Sequence, residues 1–116
     1  MTFTMRSLLP VTVLALAVGV AAPRAAAGQD AAKGEQVYNA QKCQVCHSIA
    51  GKGGKTSPLD GVATKLTADD IRQWITMPAQ MTAQTKSTKK PPMPAKWAKL
   101  PAAELDALVA YMQTLK

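Results

Sequence analysis

The stretch Lys42–Gly51, KCQVCHSIAG, holds both cysteines and the single histidine of a 116-residue chain. Cys43, Cys46 and His47 together form C-x-x-C-H, and few folds use such a cluster for structure alone. A dithiol switch needs C-x-x-C at a helix start in a βαβ setting; here a helical pattern ends at the pair and no strand pattern surrounds it. A structural zinc takes four ligands, usually from two such pairs, and only three soft candidates exist. A disulfide across two intervening residues closes too short a loop to add much stability. The reading that uses all three residues is covalent haem attachment. Two thioethers from Cys43 and Cys46 hold the macrocycle, and His47 follows directly beneath the iron.

The chain begins with the pattern of an export signal. Arg6 precedes the apolar run LLPVTVLALAVGVAA, and Ala25 to Gly28 form a small-residue cleavage site. Cleavage after Ala27 divides the chain into a signal peptide, residues 1–27, and a mature domain, residues 28–116. Pro10 interrupts the run and leaves it shorter than the roughly 20 residues of a comfortable bilayer span, which disfavours a retained anchor. The 89 residues of the mature part suffice for one small domain, and such domains usually need a staple. A welded cofactor supplies it.

Loss of Arg6 and Arg24 takes the 14 Lys and Arg to 12 against 7 Asp and Glu, a formal charge of +5. A basic chain favours acidic partners. Nucleic acid is disfavoured because two Trp and two Tyr offer little stacking surface and the single Phe lies in the signal.

Along the mature chain the pattern is helix and loop. DAAKGEQVYNAQKCQVC reads as a helix capped by Asp30, with Gly34, Val37, Tyr38 and Gln41 on one face. Gly34 costs about 1 kcal/mol there relative to Ala, which points to another backbone close by. SIAGKGGKTSPLDGVATK reads as loop without strand alternation. LTADDIRQWITMP carries a capping box at Thr67 and Asp70, a staple between Leu66 and Ile71, an apolar stripe of Ile71, Trp74 and Ile75, and Pro78 as its stop. AQMTAQTKSTKKPPMPAKWAK reads as an irregular connection, kept extended near Met93 by Pro91, Pro92 and Pro94. In PAAELDALVAYMQTLK the residues Leu105, Leu108, Val109, Met112 and Leu115 share one face of a last helix, with Pro101 in its first turn.

AAKGEQVY before CQVCH, then SPLDG, PPMPAKWAKL and ELDALVAYMQTL make residues 30–116 closely resemble the class I, monohaem c-type cytochromes. The resemblance implies an all-α fold of three to four helices and long loops around one covalent haem c, with crossed N- and C-terminal helices. It implies that Met93 gives its sulfur to the iron opposite His47, the pairing that raises the potential of such haems. Met77, also followed by proline, is the competitor; Met81 and Met112 are core fillers. By the same resemblance the Pro58 carbonyl accepts the other ring N–H of His47 and Leu59 packs against the haem. Gly34 and Tyr38 cross Leu108 and Tyr111. Trp74 packs on the haem edge, bonds a propionate or is plain core, and Trp97 covers the Met93 side or stays exposed. Pro101 departs from the usual Ser or Thr cap.

The implied function is one-electron transfer between partners in the bacterial periplasm, by a carrier and not an enzyme. Lys42, Lys52, Lys55, Lys86, Lys89, Lys90 and Lys96 either form a basic rim that steers acidic redox partners into transient complexes or are plain solvated lysines. Two other readings stand beside this one. The first is a subunit of a larger redox complex, an oxidase or a sulfur-compound oxidising assembly. The second is a haem enzyme or gas sensor in which Met93 is displaced.

Overall fold

The computed structural model describes the backbone from residue 24 and side chains from residue 30. The signal sequence read over residues 1–27 lies almost wholly outside the described residues. Among the described residues no helix is long and apolar enough to cross a membrane.

The fold is all-α apart from one small hairpin. The α-helices are α1 (Arg24–Ala40), the single turn α2 (Val62–Lys65), α3 (Ala68–Thr76), α4 (Pro78–Thr85) and α5 (Ala102–Met112). Short 3-10 turns cover Cys43–Val45 and Ala95–Lys99, and the two-residue strands β1 (Ser48–Ile49) and β2 (Lys52–Gly53) pair antiparallel.

The dominant packing is α1 against α5. Gly34 makes it possible: a β-carbon there would overlap the Ala107 carbonyl oxygen and stand 2.6 Å from Tyr111 Cβ. The residues at the crossing are therefore Ala107 and Tyr111, where the sequence pointed to Leu108 and Tyr111. Leu108 turns into the core beside Val37, Tyr38, Ile71, Ile75, Val109 and Met112. Beyond the crossing, the Tyr38 and Tyr111 rings meet edge to face at 5.7 Å and 65°. Gly34→Ala should force the two backbones apart and cost about 3 kcal/mol or more, seen as a fall in the midpoint of denaturant unfolding at unchanged slope.

The last helix buries Ala107, Leu108, Val109 and Met112, while Leu115 follows the helix end and its carbonyl accepts the Ala63 N–H at 2.9 Å. That bond ties the chain terminus to α2. Pro101 has no side chain to cap α5, and its carbonyl accepts the Glu104 and Leu105 N–H groups at 3.0 Å.

α3 starts as its sequence dictates. The Thr67 N–H and hydroxyl donate to Asp70 Oδ2 at 2.9 and 2.8 Å, and the Asp70 N–H donates back to Thr67 Oγ1 at 3.1 Å. The Thr67 N–H and hydroxyl hold the Asp70 carboxyl below its ordinary value. A group whose folded pKa is depressed stabilises above its unfolded value, near 3.9 for Asp, and that stability is lost as pH falls through the folded value. Asp70→Asn should accordingly flatten the acid limb of a plot of thermal midpoint against pH, while an unchanged limb would remove the box from the acid response.

Several elements differ from the sequence reading: the first helix, read through Cys46, stops at Ala40, and the stretches read as loop and irregular connection contain α2 and the 3-10 turn Ala95–Lys99. α1 begins at Arg24, so Asp30 lies within the helix and does not cap it. Pro78 ends α3 but also opens α4 at its first turn, and α4 buries Pro78 and Met81; a proline needs no N–H partner at that position. The glycine-rich loop contains the hairpin, whose turn puts Ala50 at φ 52° and Gly51 at φ 78°. Positive φ at both turn residues is the requirement of a tight hairpin, and Asp60 Oδ1 fixes this one by accepting the Ala50 N–H at 2.8 Å.

Candidate functional site

The attachment motif forms a compact turn that leaves α1 through Lys42, itself left-handed at φ 58°. The Cys46 and His47 N–H groups both donate to the Cys43 carbonyl, at 3.3 and 3.0 Å, so the two cysteines and the histidine are held on one turn. The loop after the hairpin is stitched to it. Gly54 donates to the Gln44 carbonyl at 2.7 Å and Ser57 to the Cys46 carbonyl at 3.2 Å. A side chain at position 54 would stand 2.7 Å from the Val45 carbonyl carbon and 2.9 Å from Cys46 Cα. The glycines that mark this stretch as loop thus let it lie flat on the turn.

His47 presents its ring in one orientation because Nδ1 lies 2.8 Å from the carbonyl oxygen of Ser57. The sequence reading assigned this acceptor to Pro58; the structure gives it to the preceding residue. A residue before proline is held extended, which, with the Ser57–Cys46 bond, aims the Ser57 carbonyl at the ring. Pro58 itself is exposed and contributes to the cavity wall.

Beside this turn opens a cavity of about 430 Å³, within the range of cofactor pockets. Every residue singled out as a site candidate lines it: Cys43, Cys46, His47, Pro58, Leu59, Trp74 and Met93. Trp97 lines it as well, with Lys96 Nζ 4.7 Å above its ring. Met77 does not; it sits between α3 and α4 with 43 % of its surface exposed. Sequence reasoning missed Lys65, Thr85 and Ser87 at the same wall. The last two belong to the stretch read as irregular, whose helix gave no clear apolar stripe.

The chemistry of the lining fits a large flat apolar group. Its wall includes Ile71 and Ile75 from α3 and Leu108 and Met112 from α5. Trp97 Nε1 is buried and has no acceptor among the described residues. A buried N–H without a partner costs free energy, and a cofactor bearing carboxylates or an iron-bound sulfur nearby offers acceptors. The two cysteines form no disulfide, and both are half-buried. Burial pushes the Cys43 thiol up, opposite to the depressed value of a reactive dithiol. Among the described residues no group of three or more His, Cys, Asp and Glu side chains is arranged to hold a metal ion.

A helical domain closed around an apolar slot, with two thiols and an oriented imidazole on one turn at its edge, defines a protein that carries a covalently attached haem. The chain belongs to the cytochrome c family, whose model, described as Cytochrome c, matches residues 31–116. Haem c, with its iron, is the cofactor of that family, and electron transfer its general role. Searches of curated proteins and of solved structures returned no match.

Proposed function

We propose that the protein is a one-electron carrier with His47 and Met93 as the axial ligands of its haem, exported to the periplasm and cleaved after Ala27. The observation that carries this reading is that Met93 and His47 line one cavity while Met77 lies outside it on the surface.

Haem c supplies a reversible one-electron couple between ferric and ferrous iron. The residues of the chain adjust that couple and restrict what else happens there. Ser57 accepts from His47 Nδ1–H, which makes the imidazole a better donor. The Met93 thioether, which would hold the iron together with His47, would favour the ferrous form and raise the potential. Apolar side chains such as Leu59, Ile71 and Leu108 exclude water and further disfavour the extra charge of the ferric state. Pro91, Pro92 and Pro94 around Met93 restrict the loop, which supports a permanent ligand over a displaceable one and so a carrier over an enzyme or gas sensor.

Lys42, Lys52, Lys55, Lys86, Lys89, Lys90 and Lys96 are all exposed, and Lys89 reaches the cavity wall. This distribution supports a basic docking rim for acidic redox partners, with fast encounter that weakens as salt rises. The same rim would serve as an interface if the protein were a subunit of a redox complex; migration of the purified native protein as a single small species would argue for the free carrier, and co-migration with other chains for the complex.

The test is a redox titration followed in the visible spectrum. A narrow reduced α-band, a thioether-to-ferric-iron charge-transfer band and one Nernstian electron are expected. A high-spin reduced spectrum would overturn the ligand assignment.

A further inference from the structure

We infer that the Tyr38 hydroxyl is a positioning group for the His47 imidazole, acting through the His47 peptide carbonyl. The inference rests on the axial role of His47 proposed above.

Tyr38 stands on α1, is 5 % exposed and borders the same cavity as His47. Its hydroxyl donates to the His47 carbonyl oxygen at 3.3 Å. The ring does not need this bond to stay in place, because it packs edge to face on Tyr111, and a phenylalanine would fill the same space. A hydroxyl added at a buried position costs free energy unless it is bonded, and its recorded partner is this carbonyl.

The carbonyl it holds belongs to the backbone of the ligand itself. On its other side lies Gly53, where a β-carbon would overlap the His47 oxygen. His47 is thereby fixed at three points: its N–H to the Cys43 carbonyl, its ring Nδ1 to the Ser57 carbonyl and its own carbonyl to the Tyr38 hydroxyl. The first two set where the imidazole starts and how its ring turns. The third sets the tilt of the peptide plane that carries it. Without the hydroxyl, that plane loses one of its restraints and the ring shifts slightly relative to Ser57.

The experiment compares holoprotein with its Tyr38→Phe and Tyr111→Phe variants by NMR of the ferric state. Tyr38→Phe is expected to keep the six-coordinate low-spin spectrum, to move the hyperfine-shifted His47 ring resonances, and to speed exchange of His47 Nδ1–H roughly fivefold, the weight of one net hydrogen bond. Tyr111→Phe, which removes a hydroxyl from the same ring pair without touching His47, should leave both unchanged. Wild-type resonances and exchange in Tyr38→Phe overturn the inference, even if the thermal midpoint falls, because a purely structural tyrosine would affect only the latter. The wild-type protein offers a check that needs no variant: a slowly exchanging Tyr38 hydroxyl proton close to the His47 backbone is expected, and its absence counts against the inference. A wild-type iron without imidazole ligation instead overturns the axial assignment.

Discussion

Replacing Cys43 and Cys46 together by alanine is expected to abolish covalent haem and leave the chain largely unfolded. The cofactor slot is not an appendage to a finished core. Ile71, Ile75, Leu108 and Met112 belong to the core and also line the cavity of about 430 Å³. Without a group to fill it, a gap of that size deprives the core side chains of packing partners on one side, and a small domain has little stability to spare. The crossing of α1 and α5 would remain as the main protein-only contact, and a pair of helices of this length is marginal in water alone. The measurements are the mass and colour of acid-acetone-extracted protein and a thermal melt followed by circular dichroism. A colourless double variant with a sharp, cooperative transition would show that the polypeptide closes without its cofactor and would end the stapling argument.

The second large effect is expected at the other face of the slot. Met93→Ala should convert the low-spin six-coordinate iron to a form that binds carbon monoxide when reduced, while Met77→Ala should keep the wild-type spectrum. Alanine at 93 offers no donor atom and opens space on the cavity side of the loop. Met77 borders solvent and lies outside the cavity, so its loss changes nothing the iron senses. Spectra unchanged in Met93→Ala and altered in Met77→Ala would reverse the assignment and require a rearrangement of α4.

Much of the fold is legible in the sequence where local chemistry decides it. The capping box at Thr67 and Asp70 involves neighbours on one turn and stands as read; the apolar stripe of α5 repeats with the helical period and holds for Leu108, Val109 and Met112, while Leu115 falls past the helix end and Ala107 joins the buried face. Gly34 is legible for a different reason: a glycine inside a helix is unfavourable on its own, so its presence already signals a close crossing. The elements missed lack such signals. α4 buries only Pro78 and Met81 of eight residues, too few to make a stripe. The hairpin turn uses Ala50 where Asn or Gly would have announced positive φ, with Asp60, ten residues later, supplying the stabilising bond.

The sequence by itself determined the attachment chemistry, because C-x-x-C-H is a constraint within a single turn of chain, and the family, because its further motifs follow in order. Only the tertiary structure decided which carbonyl orients His47, which methionine borders the slot and what the Tyr38 hydroxyl touches. Each of these depends on residues ten, forty-six and nine positions from His47. At such separations the outcome is set by how loops and helices close around a shared cavity, and no local propensity encodes that closure.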